Sequence, residues 1–176
     1  YLGVAYVNEG IALREDGISL PIMVMNTGVI DLEKVIAFDL EPTIYNPEQL
    51  GALLSANPND IKRIKAHFKI DSGMHRLGFR KEEIGPTAFI LLEQGVTVVG
   101  AYTHLASSPE PHNDAFTLEQ IDYFDQAYEE LADKLGYQPM RHVLNSAGIL
   151  RFTDRQYEMV RGGMGIYGLD PSHTQQ

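Results

Sequence analysis

The stretch Lys65-Ala66-His67-Phe68-Lys69-Ile70-Asp71-Ser72-Gly73-Met74-His75-Arg76-Leu77-Gly78-Phe79 starts as a short, largely apolar strand and breaks into polar, glycine-punctuated chain at Asp71. The same change recurs along the sequence. Val96–Thr103 is a strand that runs into His104, His142–Asn145 one that runs into Ser146, and Met159–Tyr167 one that carries Arg161. Polar and unusual residues therefore gather at or beyond the C-terminal ends of strands. In a (β/α)8 barrel those ends meet on one face and build the active site.

Working outward, Tyr1–Val7, Pro21–Met25 and Pro42–Tyr45 read as further strands, which makes seven candidates. Helical patterns separate them. Asn8–Asp16 has Asn8 as N-cap and Gly17 as its stop, and Ile30–Phe38 is a helix-like connection. Pro47–Ala56 has proline in its first turn, Lys81–Gln94 ends at Gly95, and Thr117–Leu135 ends at Gly136. Strands alternating with helices at this spacing predict parallel βαβ units with right-handed crossovers. A doubly wound open sheet also alternates in this way, but the glycine-rich turn expected after its first strand is missing. The fold class expected is α/β, a (β/α)8 TIM-type barrel that is incomplete and spans about strands 2 to 8. A whole barrel usually takes about 250 residues, against 176 here.

Composition narrows the function. The chain is 44% hydrophobic and 22% charged, as an ordinary globular domain is, and it has no cysteine. Disulfides, zinc–thiolate sites and thiol nucleophiles are thereby excluded. The net charge of −10 argues against nucleic acid or anionic lipid as a partner, since both need clustered Lys and Arg. No apolar run approaches the roughly 20 residues of a membrane span, and Tyr1 opens the chain without a signal-peptide pattern. The six histidines form no His-x-His pair and no HExxH, so no metal site is expected.

Four clusters could carry chemistry. Lys69 lies inside an apolar strand, a costly place for a cation unless it is paired or faces a polar barrel mouth. It could simply satisfy Asp71, two residues on along the same strand face. His104, followed by two hydroxyls in Leu105-Ala106-Ser107-Ser108, is either structural or functional. Asn145-Ser146-Ala147-Gly148 can offer N–H and hydroxyl donors to an anion, and it also describes an ordinary turn. Val160-Arg161-Gly162-Gly163-Met164-Gly165-Ile166-Tyr167-Gly168 matches no P-loop, yet its glycines let backbone N–H groups approach a phosphate.

Taken in order and spacing, these clusters resemble the alanine racemases. Lys69–Phe79 is similar to the family's K-[IV]-D-[ST]-G-M-x-R-L-G motif, and Thr103–Ser108 to T-H-[LF]-A-x-[SA]. Leu144–Gly148 resembles [AL]-N-S-A, Val160–Gly168 resembles V-R-x-G-[IM]-x-x-Y-G, and Tyr6–Gly17 resembles the opening helix. Ser72 stands where threonine is commoner, and Gly162 replaces a larger residue.

The resemblance implies a pyridoxal 5′-phosphate enzyme, a cytoplasmic homodimer that interconverts L- and D-alanine for peptidoglycan by two-base proton transfer at Cα. It implies catalytic roles for Lys69, Arg76 and His104. Arg161 would donate to the cofactor's ring nitrogen, with His104 near the ring and hydrogen-bonded to Arg161. Asn145, Ser146, Gly163 and Met164 would complete the cofactor site, with the phosphate on Ser146 and the N–H groups around Gly163 and Met164. Arg76 would meet the cofactor's phenolic oxygen and the substrate carboxylate, and Lys69 matches a lysine that carries a carbamate in some members. The lysine that anchors the cofactor and the opposing tyrosine have no counterpart in residues 1–176. The expectation is a partial N-terminal barrel domain without its first strand or C-terminal β-domain, inactive and poorly soluble by itself. Two readings compete: another fold-type-III pyridoxal-phosphate protein (a different racemase or a cofactor-homeostasis protein), or a degenerate barrel kept for binding.

Overall fold

A computed structural model describes residues 1–28 and 32–171. Its strands are β1 (Leu2–Val4), β2 (Ile22–Val24), β3 (Glu41–Ile44), β4 (Lys65–Lys69), β5 (Thr97–Tyr102) and β6 (Met140–His142). They lie side by side in sequence order, β1-β2-β3-β4-β5-β6, and every neighbouring pair is parallel. A doubly wound sheet reverses its order at a switch point; this one never does. The sheet curls as an incomplete (β/α) barrel, with Tyr1–Gly3 at one end and Met159–Gly163 at the other lining the same cavity.

The helices are α1 (Val7–Glu15), α2 (Leu32–Ala37), α3 (Pro47–Leu54), α4 (Pro58–Ile61), α5 (Lys81–Glu93), α6 (Asp114–Leu135) and α7 (Ser146–Arg151). Their apolar faces cover the sheet. Ile84, Leu91, Ile121, Phe124 and Leu131 pack in one core with Ile22, Ile44, Phe68 and Ala101 from the strands. The inner strands β2 to β5 are largely buried on both faces, one by helices and one by the barrel interior, whereas the edge strands β1 and β6 are only partly buried. Gly136 ends α6 in the left-handed conformation at φ 75°, as expected of the residue after Leu135.

Three expectations are corrected. The N-cap of α1 is Tyr6 and not Asn8. The Glu9 carboxylate supplies the capping, accepting from the backbone N–H of Ala5 at 2.6 Å and of Tyr6 at 3.1 Å. Met159–Tyr167 is no strand. Its first residues run along β6, with Met159 N–H donating to the Arg141 carbonyl at 3.2 Å and Arg161 N–H to that of Leu144 at 2.9 Å. Beyond Gly162-Gly163 the chain turns into a 3-10 segment, Met164–Tyr167, because the Ser146 hydroxyl takes the N–H groups a ladder would need. Asn145, expected as the end of a strand, is the N-cap of α7. Of the Ile30–Phe38 connection, Ile30 and Asp31 lie outside the described residues.

Candidate active site at the barrel mouth

The excursion after β4 begins and ends at one place. Asp71 N–H donates to the Phe79 carbonyl at 3.0 Å, and Phe79 N–H to that of Lys69 at 2.9 Å. Asp71 Oδ1 then takes the N–H of Gly73 at 3.1 Å and of His75 at 2.9 Å. Asp71 thus shapes its own loop and does not pair with Lys69. Lys69 is buried, and its Nζ sits 5.5 Å from the Tyr102 ring centroid. Burial, with the nearby charges of Arg76 and Arg161, pulls its ammonium down to about 8. Arg76 itself is exposed on the loop.

Arg161 is the most heavily bonded side chain at the mouth. Its Nη1 donates to His142 Nδ1 at 3.1 Å and to the His142 carbonyl. Nη2 donates to the carbonyls of Thr103 at 2.6 Å and Val143 at 3.0 Å. A guanidinium has five N–H donors, and these bonds use four. Among the described residues nothing accepts from Nε–H, and Arg161 lines the cavity. The expected partnership with His104 is not what forms: the imidazole bonded to Arg161 is that of His142. Three carbonyls and a buried ring nitrogen already surround the Nη atoms, so they have nothing left for His104. The His104 ring lines the cavity instead. Burial and the charges of Arg161, Arg76 and Lys69 hold it neutral, down to about 4.

Ser146 Oγ accepts from Gly163 N–H at 2.9 Å and Gly165 N–H at 3.2 Å, which folds the glycine-rich segment over the start of α7. Asn145 Oδ1 caps α7 through Gly148 N–H at 3.0 Å and accepts from the Ser108 hydroxyl at 2.8 Å. Its amide therefore positions the turn, with little left over for a ligand. His104, Asn145, Ser146, Arg161, Gly163 and Met164 all line one cavity of about 480 Å³. Lys69 and Arg76 lie outside that lining, near enough for their charges to act on His104. Among the described residues no group of His, Asp or Glu could hold a metal ion, and no helix is long and apolar enough to cross a membrane.

Sequence reading missed a buried file behind Arg161. His142 Nε2 lies 3.1 Å from His67 Nδ1, and His67 Nε2 lies 3.0 Å from Glu41 Oε2. Both imidazoles are fully buried and Glu41 nearly so. A signal was present: His67, like Lys69, is a polar residue in an otherwise apolar strand.

Comparison with known proteins agrees with this geometry. The family model described as "Alanine racemase, N-terminal domain" matches residues 1–171. Alanine racemase 1 of Oceanobacillus iheyensis is 37% identical over 97% of this chain and 46% of its own length. The alanine racemase of Desulfovibrio desulfuricans is 38% identical over 98% of this chain and 47% of its own length. The crystal structure of alanine racemase from Corynebacterium glutamicum superposes with a TM-score of 0.88 at 31% identity, covering 99% of this chain and 50% of that one. That from Bacillus anthracis, solved with bound L-Ala-P, gives 0.82 at 30% identity, over 98% of this chain and 45% of that one. The chain spans about half the length of the relatives it matches. It belongs to the alanine racemase N-terminal domain family.

Proposed function

We propose that this chain is the cofactor-holding barrel portion of an alanine racemase that works with pyridoxal 5′-phosphate. The observation that carries the reading is the state of Arg161: four donors fixed by protein, and Nε–H without an acceptor among the described residues, on a side chain that lines a cavity. A cavity of about 480 Å³ suits a cofactor of this size, within the usual range of roughly 300–1,000 Å³.

The residues present fit the group. Arg161 would meet the ring nitrogen through Nε–H. Burial draws the guanidinium down to about 10, which still leaves it protonated at neutral pH. It donates a hydrogen bond and keeps its proton, so the ring nitrogen stays uncharged. Ser146, with the backbone around Gly163 and Met164, would hold the phosphate. His104, neutral at pH 7, adds no further positive charge beside the ring. Arg76 would draw in the substrate carboxylate. Bound pyridoxal phosphate supplies the electron withdrawal that makes an amino acid's Cα–H acidic. In this reading the two bases that move the Cα proton belong to the rest of the enzyme, which works as a homodimer. Alanine as substrate is taken from the names of the relatives.

The test is racemisation of L- and D-alanine by the full-length protein loaded with pyridoxal phosphate. Activity on alanine that falls on the order of a hundredfold or more in Arg161→Gln, as for loss of a group stabilising charge at the reacting centre, supports the reading. Cofactor binding without racemisation of any amino acid would overturn it.

A further inference from the structure

Glu41, His67, His142 and Arg161 form one hydrogen-bonded file through the barrel interior, from β3 across β4 and β6 to the segment after β6. Its proton arrangement follows from its two ends. A guanidinium can only donate, so His142 Nδ1, facing Arg161 Nη1, must be a bare acceptor. The proton of a neutral His142 then sits on Nε2 and points at His67 Nδ1. That atom must be bare in turn, so His67 carries its proton on Nε2, which points at the Glu41 carboxylate. Every donor meets an acceptor. The reverse order would place an N–H of His142 against an N–H of Arg161.

The fold makes room for this file. The β4–β5 pairing shifts register between Ala66 and His67, which places His67 opposite Gly100. At Gly100 a Cβ would lie 2.8 Å from His67 Cε1 and 3.1 Å from His142 Nε2, and closer still to His67 Nδ1. Tyr102 stacks on His142 with centroids 4.7 Å apart, and Tyr1 meets His67 edge-on at 5.8 Å. Burial and the charge of Arg161 keep His142 well below the usual histidine range.

We propose that Glu41, His67 and His142 are positioning residues for Arg161: a one-way hydrogen-bond file that fixes its Nη atoms, leaves Nε–H for the cofactor, and relays a carboxylate to a buried cation that has no acid of its own. Among the described residues Arg161 makes no ion pair. Glu41, two imidazoles away, is the anion the file connects to it. The cofactor part of this inference rests on the function proposed above; the proton order does not.

The test uses the full-length protein with ¹⁵N-labelled histidine, first free of pyridoxal phosphate. His67 and His142 should both show a proton on Nε2 and a bare Nδ1, and His142 should stay so between about pH 6 and 8, the interval in which an ordinary histidine titrates. The groups facing them are Glu41, Tyr1, Tyr102 and Arg161. Glu41→Gln keeps an acceptor and should keep both tautomers. Glu41→Leu leaves the His67 Nε2–H without its acceptor and should shift the resonance of that nitrogen, while Arg161 still fixes the tautomer of His142. A proton on Nδ1 of either ring in the wild type, or a His67 Nε2 resonance that does not move in Glu41→Leu, would each overturn the file. Should Glu41→Leu not fold, the wild-type and Glu41→Gln spectra still decide. Pyridoxal phosphate titration then adds the second readout. Affinity should fall on the order of tenfold in Glu41→Leu, as for other residues that orient a ligand-bearing side chain, and be rescued in Glu41→Gln. A shifted His67 Nε2 resonance with unchanged affinity would overturn the positioning role. Unchanged affinity in Arg161→Gln as well would instead sink the function proposed for Arg161.

Discussion

Gly100 on β5 lies directly against the ring of His67 on β4, and the missing side chain is the space in which His67 and His142 meet. The ring cannot swing away, because its other nitrogen is tied to Glu41. Gly100→Ala is therefore expected to cost about 1–3 kcal/mol, the usual range for overpacking a filled interior. Urea unfolding of Gly100→Ala beside wild type measures it; a loss below a few tenths would show that the interior has slack.

Asn145 reads as a helix cap that also holds a neighbouring loop through Ser108. Asn145→Ala should destabilise by about 1 kcal/mol, while Asn145→Asp, which keeps the accepting oxygen, should lose less. Thermal melts of the two variants give the order, and the reverse order would mean that the amide N–H of Asn145 matters more than its cap.

The pH response of stability has a definite sign. His104 is held at about 4 and His142 well below its ordinary value, so the folded state resists protons that the unfolded chain accepts. Their contribution is whole above about 6.5, the unperturbed histidine value. It drains away as pH falls, down to about 4 for His104. Melting temperature should fall between these limits, and less steeply in His104→Gln. A profile in His104→Gln identical to wild type would mean that His104 titrates normally.

Lys69, drawn down to about 8 by burial and by Arg76 and Arg161, holds a share of neutral amine near neutral pH. Neutral amines are the nucleophiles that add to carbon dioxide. With ¹³C-bicarbonate present, a carbamate resonance is expected that Lys69→Arg abolishes. Its absence from wild type would leave Lys69 a plain cation.

What could be read from sequence was whatever is local. The strand-then-polar change at Asp71, His104, Ser146 and Arg161 gave the barrel and its mouth, because it reports two neighbouring environments in one short window. The file behind Arg161 escaped, since His67 is 26 residues from Glu41 and 75 from His142, and the contacts form only when the sheet curls. The capping role of Asn145 is not separable in sequence from a place at the cavity, which it also lines, because a cap and an anion-binding turn use the same residue types. The apolar flanks of Met159–Tyr167 are those of a strand, whereas a hydroxyl on Ser146, distant in sequence, decides the outcome.

The excursion from Asp71 to Gly78 leaves the sheet and rejoins it at a single knot, where the two chain ends are stitched to each other. At Gly78 a Cβ would lie 2.5 Å from Asp71 N, so the stitch leaves no room for a side chain. The segment hangs from the barrel rim like a pendant on a closed clasp. Ser72 alone is moored inward, buried and bonded to the Thr103 hydroxyl at 2.8 Å; substitutions from Met74 to Leu77 can vary the rim without transmitting strain to β4.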